Sequence, residues 1–134
     1  MNALLSVRPE FVTRILDGTK KYEYRKKVFI RKDIDRVIIY ASSPLKRIVG
    51  EFKFDEIIAD TPDLIWEKTA FDSGINKDIF FRYFYGIEKA YAIRIKHVIK
   101  YQNPLHLENL YPGIIPPQSF CYLPQINTLL HNGS

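Results

Sequence analysis

The chain has 134 residues, of which 46% are hydrophobic and 26% charged, with a formal net charge of +5. That length suits one domain with a core large enough to fold without disulfides, and no apolar run approaches the roughly 20 residues a membrane-spanning helix needs. A single cysteine, Cys121, excludes an internal disulfide, and three scattered histidines, His97, His106 and His131, lack the spacing of a structural zinc site.

The N-terminal stretch Met1 to Arg8 has no long apolar core of the signal-peptide type, so a cytoplasmic, reducing location is expected. Residues 9–16 predict a short helix: Pro9 suits its first turn, Phe11, Ile15 and Leu16 share a face, and Gly18 supplies the stop. Gly18-Thr19-Lys20-Lys21-Tyr22-Glu23-Tyr24-Arg25 follows. As a strand, period-two geometry would put Lys21, Glu23 and Arg25 on one face and Lys20, Tyr22 and Tyr24 on the other.

Charge is concentrated here. Between Lys20 and Arg36 eight cations (Lys20, Lys21, Arg25, Lys26, Lys27, Arg31, Lys32, Arg36) face three acids (Glu23, Asp33, Asp35), an excess equal to the net charge of the whole chain. Such a cluster is the footprint of a phosphate-backbone binder; it is also what a solvated strand edge blunted by lysines looks like.

Further on, residues 36–41 (Arg-Val-Ile-Ile-Tyr-Ala) predict a strand buried on both faces, ending in the turn-prone Ser42-Ser43-Pro44. Residues 47–58 predict another strand, with Gly50 permitting a bulge or a close backbone approach. Thr61-Pro62-Asp63 predicts a helix to about Lys68, and residues 76–85 an aromatic-rich helix stopped by Gly86, with Trp66, Phe80, Phe81, Phe84 and Tyr85 as core aromatics. Residues 90–99 alternate as a half-exposed strand. From about residue 103 the chain is proline-rich and is expected to pack as irregular segments over the core, anchored by Phe120, Tyr122 and Leu123. The whole reads as one domain over 1–134, a β-rich core with helices on its flanks.

Gly18, Lys20, Glu23 and Arg25 fit the pattern Gly-x-Lys-x-x-Glu-x-Arg, placed directly after a helix and before the barrel strands. In this the chain resembles the ASCH domain family of the PUA-like superfamily, a resemblance extending over Leu5 to Pro9, Val37 to Pro44, Ile48 to Glu51 and Ala90 to Ile93. It implies an α+β fold, a PUA-like partly closed β-barrel with flanking short helices. It also implies a cleft between the barrel and the first helix that receives RNA or a nucleotide-like ligand, lined by Lys20, Glu23 and Arg25 with Arg8, Ser42 and Ser43 beside them. Strict alternation separates Lys20 from Glu23; a bulge or a strand start near Lys20 would reunite them.

Three functions follow from these residues. As an RNA-binding module, for which the resemblance implies a regulatory role, the domain would use Lys20, Lys21, Arg25, Lys26 and Lys27 against phosphates and Tyr22, Tyr24 or Tyr40 as a stacking surface. As an amidohydrolase on N4-acylated cytidine it would use Lys20 as base or nucleophile. However, family members of that type carry Thr where this chain has Glu23, and the further Glu they use has only Asp78 and Glu88 as candidates here. As a ribonuclease it would stabilise the phosphorane with Lys20 and Arg25 while Glu23 or a tyrosine handles the proton. No cofactor, resident metal or membrane partner is expected, and the oligomeric state is left open.

Overall fold

The computed structural model describes residues 1–124. Its framework is a six-stranded curled sheet built from β1 (Asn2–Val7), β2 (Tyr22–Arg25), β3 (Arg36–Ala41), β4 (Arg47–Asp60), β5 (Ala90–Leu105) and β6 (Phe120–Leu123), in the order β2-β5-β4-β3-β1-β6. β1 and β3 run parallel and every other pairing is antiparallel. Four short helices flank it: α1 (Pro9–Leu16), α2 (Pro62–Thr69), α3 (Lys77–Tyr83) and α4 (Leu107–Leu110). Among the described residues no helix is long and apolar enough to cross a membrane.

The curl comes from the long antiparallel β4–β5 pair, whose register shifts between Ile48 and Gly50, between Glu51 and Lys53, and between Phe54 and Glu56. Each irregularity adds local twist and bends the pair into a half-barrel. Gly50 is required at the first of them: a Cβ there would lie 2.5 Å from the Ile99 carbonyl oxygen.

Alternation along the central strands divides the core. Ala3, Leu5 and Val7 of β1 and Val37, Ile39 and Ala41 of β3 pack inward with Val12 and Ile15 of α1. Leu4, Ile38 and Tyr40 face the other way, against Tyr101, Leu107, Tyr111 and Leu123. β3 is thus buried on both faces, as its continuous apolar run predicts. A third cluster, with Tyr22, Tyr24, Ala90 and Ala92 under Ile65, Phe80 and Phe84, seats α2 and α3 on the β2–β5 edge. That packing covers Ala90 and Ala92, so β5 is enclosed on both sides only at its start; from Arg94 onward its outer positions are part-exposed or exposed, as the alternation read at residues 90–99 predicts.

The helix expectations agree in position, with Thr61 capping α2 and Asn76 capping α3 through their side chains. Two strands stand where the pattern predicts none. β1 reads as an apolar N-terminus, and β6 replaces part of the expected irregular tail because it pairs with the otherwise bare edge of β1. Tyr85, expected in the core, is 88% exposed, since α3 ends at Tyr83 and the helical phase is lost. His131 and the tail beyond 124 lie outside the described residues.

Candidate functional site

The motif begins where α1 ends. The Lys20 backbone amide donates to the Arg14 carbonyl, which keeps residue 20 out of the sheet, and β2 starts only at Tyr22. The alternation that would have separated Lys20 from Glu23 therefore never applies to it, and both side chains turn into the protein. Lys21, expected beside Glu23, is exposed for the same reason.

Lys20 is 3% exposed. Its ammonium donates to the Tyr22 carbonyl at 2.6 Å and the Ser73 carbonyl at 3.2 Å, lies 3.8 Å from Glu23 Oε1 and sits 4.5 Å from the centre of the Tyr24 ring. The Ser73 contact depends on Gly74, whose φ of +68° and missing Cβ allow the loop to lie against Lys20; a Cβ there would be 2.4 Å from that of Lys20. Arg14 holds the same loop through a bond from its guanidinium to the Gly74 carbonyl. Burial lowers the Lys20 pKa to about 8, Glu23 opposing the shift and Arg25 and Arg14 adding to it.

Glu23 and Arg25 point into the same interior from β2. Arg25 Nη2 lies 2.7 Å from Glu23 Oε2 and donates at 2.8 Å to the Ser6 carbonyl of β1, while Nη1 reaches the Ser119 carbonyl just before β6 at 3.4 Å. β2 is one edge of the curled sheet and β1–β6 the other, so the guanidinium bridges the seam that the strands leave open. The three motif side chains come together as a buried brace in which one carboxylate lies between two cations.

The other predicted residues divide by exposure. Arg8, immediately after β1, has a side chain 77% exposed, and Lys26 and Lys27, immediately after β2, are exposed as well. Because Arg25 ties those two strand ends together, the three cations meet at one end of the seam. Ser42 joins them, its amide donating to the Val7 carbonyl, while Ser43 is exposed. The stacking surface expected of Tyr22, Tyr24 and Tyr40 is not what these rings form. All three are buried, at 8%, 6% and 6% exposure, because every position of β2 and β3 they occupy is covered by packing. Tyr24 also donates or accepts a 2.7 Å bond with Thr69, and burial pushes its phenol pKa upward.

Sequence reading missed a concavity of about 390 Å³ lined by Tyr40, Lys46, His106, Leu107, Glu108 and the segment 113–116. Neighbouring residues on each side form no sequence motif; the turn after β3 and the end of β5 bring them together. The same connecting segment continues to Ser119, which Arg25 holds, and the Ser6 hydroxyl bonds the Pro117 carbonyl. Asp78 and Glu88 are exposed, whereas the Lys20 ammonium is buried. Among the described residues no group of three His, Cys, Asp or Glu side chains is placed to hold a metal ion.

A family model for the ASCH domain matches residues 5–105. An ASCH domain-containing ribonuclease of Zymomonas mobilis is 28% identical over 123 residues, spanning 90% of this chain and 83% of that protein. Large ribosomal subunit protein uL22 of Ureaplasma parvum is 31% identical over 122 residues, again 90% of this chain, but the chain spans only 38% of that relative's length. The crystal structure of ASCH from Zymomonas mobilis superposes with a TM-score of 0.85 at 26% identity, covering 92% of this chain and 88% of that one. A serine-to-alanine variant of the Zymomonas protein gives 0.87 at 24% identity, covering 98% and 94%.

Proposed function

The chain belongs to the ASCH domain family, its curled half-barrel with short flanking helices being the PUA-like α+β fold, and from that premise we propose that it binds single-stranded RNA across the barrel seam. The observation that carries this reading is the convergence of Arg8, Lys26 and Lys27 at the strand ends that Arg25 clamps together. These side chains are exposed; Arg8 lies 4.0 Å from Glu10 and the Lys26 ammonium sits over the Tyr83 ring, both weak contacts that a phosphate can displace. The buried Lys20–Glu23–Arg25 brace then has a positioning part: it holds the ends of β1 and β2 at the spacing the cations need. The Zymomonas relative described as a ribonuclease supports an RNA-related role.

Binding of a labelled oligouridine, followed by fluorescence anisotropy between 50 and 200 mM salt, tests this. Each phosphate neutralised on a single strand contributes about −0.7 to the slope of log affinity against log salt, so three cations predict a slope near −2. An affinity indifferent to salt overturns the reading.

A second reading, ribonuclease action, is favoured by the concavity that gathers Lys46, His106, Glu108 and Tyr40. In it one of these groups takes the proton from a ribose 2′-hydroxyl as that oxygen attacks the adjacent phosphorus. Another protonates the departing 5′-oxygen, and Lys46 offsets the phosphorane charge. Cleavage of the oligonucleotide that survives a chelator and disappears in His106→Asn supports it; intact RNA after prolonged incubation with excess protein removes it.

A further inference from the structure

The burial of Tyr22, Tyr24 and Tyr40 leaves a single-strand binder without the aromatic face that sequence-tolerant recognition uses, since bases pulled out of a stack are held on exposed rings. The exposed aromatic rings of the described residues are Phe71, Tyr83 and Tyr85. Tyr83 alone among them is shown against the motif's charges: its phenol pKa is raised by burial and by Glu23, and lowered by Arg25, the Lys26 amide and Arg8. The ring also lies under the Lys26 ammonium, which places the last residue of α3 beside the residue that follows β2, at that end of the seam.

We propose that Tyr83 is the stacking platform for an unpaired base of the bound strand, with Lys26 and Arg8 taking the flanking phosphates. This rests on the RNA-binding reading above and names the residue that would read the base.

The geometry supports it on three counts. The ring is 39% exposed, enough to offer a face, yet its other side meets the buried Phe84 at a centroid distance of 4.7 Å and an interplanar angle of 72°, so it is held in place before ligand arrives. Preorganisation of this kind lowers the entropy lost on binding. Lys26 Nζ sits 4.7 Å from the ring centre. A cation over an exposed ring is a weak interaction of about 0.5–1 kcal/mol, whereas stacking a base is worth about 1–3 kcal/mol, so a base displaces the ammonium and frees it for the neighbouring phosphate. Finally, α3 is anchored from beneath by Phe80, which is fully buried, so the platform rides on a fixed helix instead of a loop.

The test uses the full chain and a fluorescein-labelled decauridine. Tyr83→Ala is expected to weaken binding about 5- to 150-fold, Tyr83→Phe to stay within about two-fold of wild type, and Tyr85→Ala to have no effect. Tyr83→Leu keeps apolar volume against Phe84 without a π-face and is expected to weaken binding like Tyr83→Ala, which separates stacking from loss of fold. A decamer lacking bases is expected to bind wild type and Tyr83→Ala equally. If wild type binds with the predicted salt slope but Tyr83→Ala and Tyr83→Leu match it, the stacking role is overturned and the RNA reading stands. If Tyr83→Phe is as weak as Tyr83→Ala, the hydroxyl acts and stacking is again overturned. If wild type shows no salt-dependent binding, both readings fall.

Discussion

Glu23 lies between two buried cations, and the consequences of removing its charge follow from that position. With the carboxylate neutralised, Lys20 and Arg25 would face each other in an interior where unpaired charge is costly, so Glu23→Gln is expected to destabilise the fold by about 3–5 kcal/mol in urea unfolding. Lys20 makes a separate prediction. Its folded pKa is about 8 against the ordinary 10.5, so between these values the unfolded chain binds more protons and stability rises with pH. Below pH 8 the full cost of burying the ammonium is present; above it that cost is relieved. Read from pH 7.5 to 9.5, below ordinary tyrosine ionisation, the rise should be about 2 kcal/mol and should vanish in Lys20→Met. A stability that is flat or falls over that range in the wild type would mean that Lys20 is not buried as a cation. At this scale the sequence singled out Lys20, Glu23 and Arg25 and offered a strand start near Lys20 as one way to reunite them, but not their burial, because alternation describes only residues inside a strand, and the hydrogen bond that keeps Lys20 out of β2 comes from α1.

At the scale of elements, the loop between the 3-10 turn Ala70–Asp72 and α3 matters as much as the motif it touches. Gly74 has a left-handed backbone and no room for a side chain beside Lys20, so Gly74→Ala is expected to cost about 1–3 kcal/mol in backbone strain alone, with further loss as Lys20 is displaced. A thermal melt would read the cost as a lowered Tm, and an unchanged Tm would show that the loop can move away from Lys20 without penalty. α1, α2 and α3 were legible because caps, proline and glycine stops act locally. β6 was not, for its four residues become a strand only by pairing with β1, more than 110 positions earlier in the chain. Proline content around such a segment speaks for a loop and says nothing about a distant edge in need of a partner.

For the whole molecule, the exposed cations Arg8, Lys26 and Lys27 flank the strand ends that Arg25 ties together, and charge so placed bears on encounter rates more than on stability. On the RNA reading, Lys26→Glu combined with Lys27→Glu should slow association with the oligouridine by at least about ten-fold at low salt and much less at high salt, as measured by stopped-flow. Equal slowing at both ionic strengths would point to lost contacts and not to lost steering.

Composition, local periodicity and the four spaced residues of the motif were sufficient to determine the family, the β-rich half-barrel with its short helices, and the region where charge collects. These properties are written in neighbouring residues, and neighbours are what a linear reading can compare. Tertiary structure alone decided that the motif's side chains turn inward to clamp the seam, that three tyrosines lie in the core, and that Tyr83 meets Lys26. Burial and facing are properties of surfaces closed by segments far apart in the chain, and the order in which a curled sheet brings them together is not encoded at any one position.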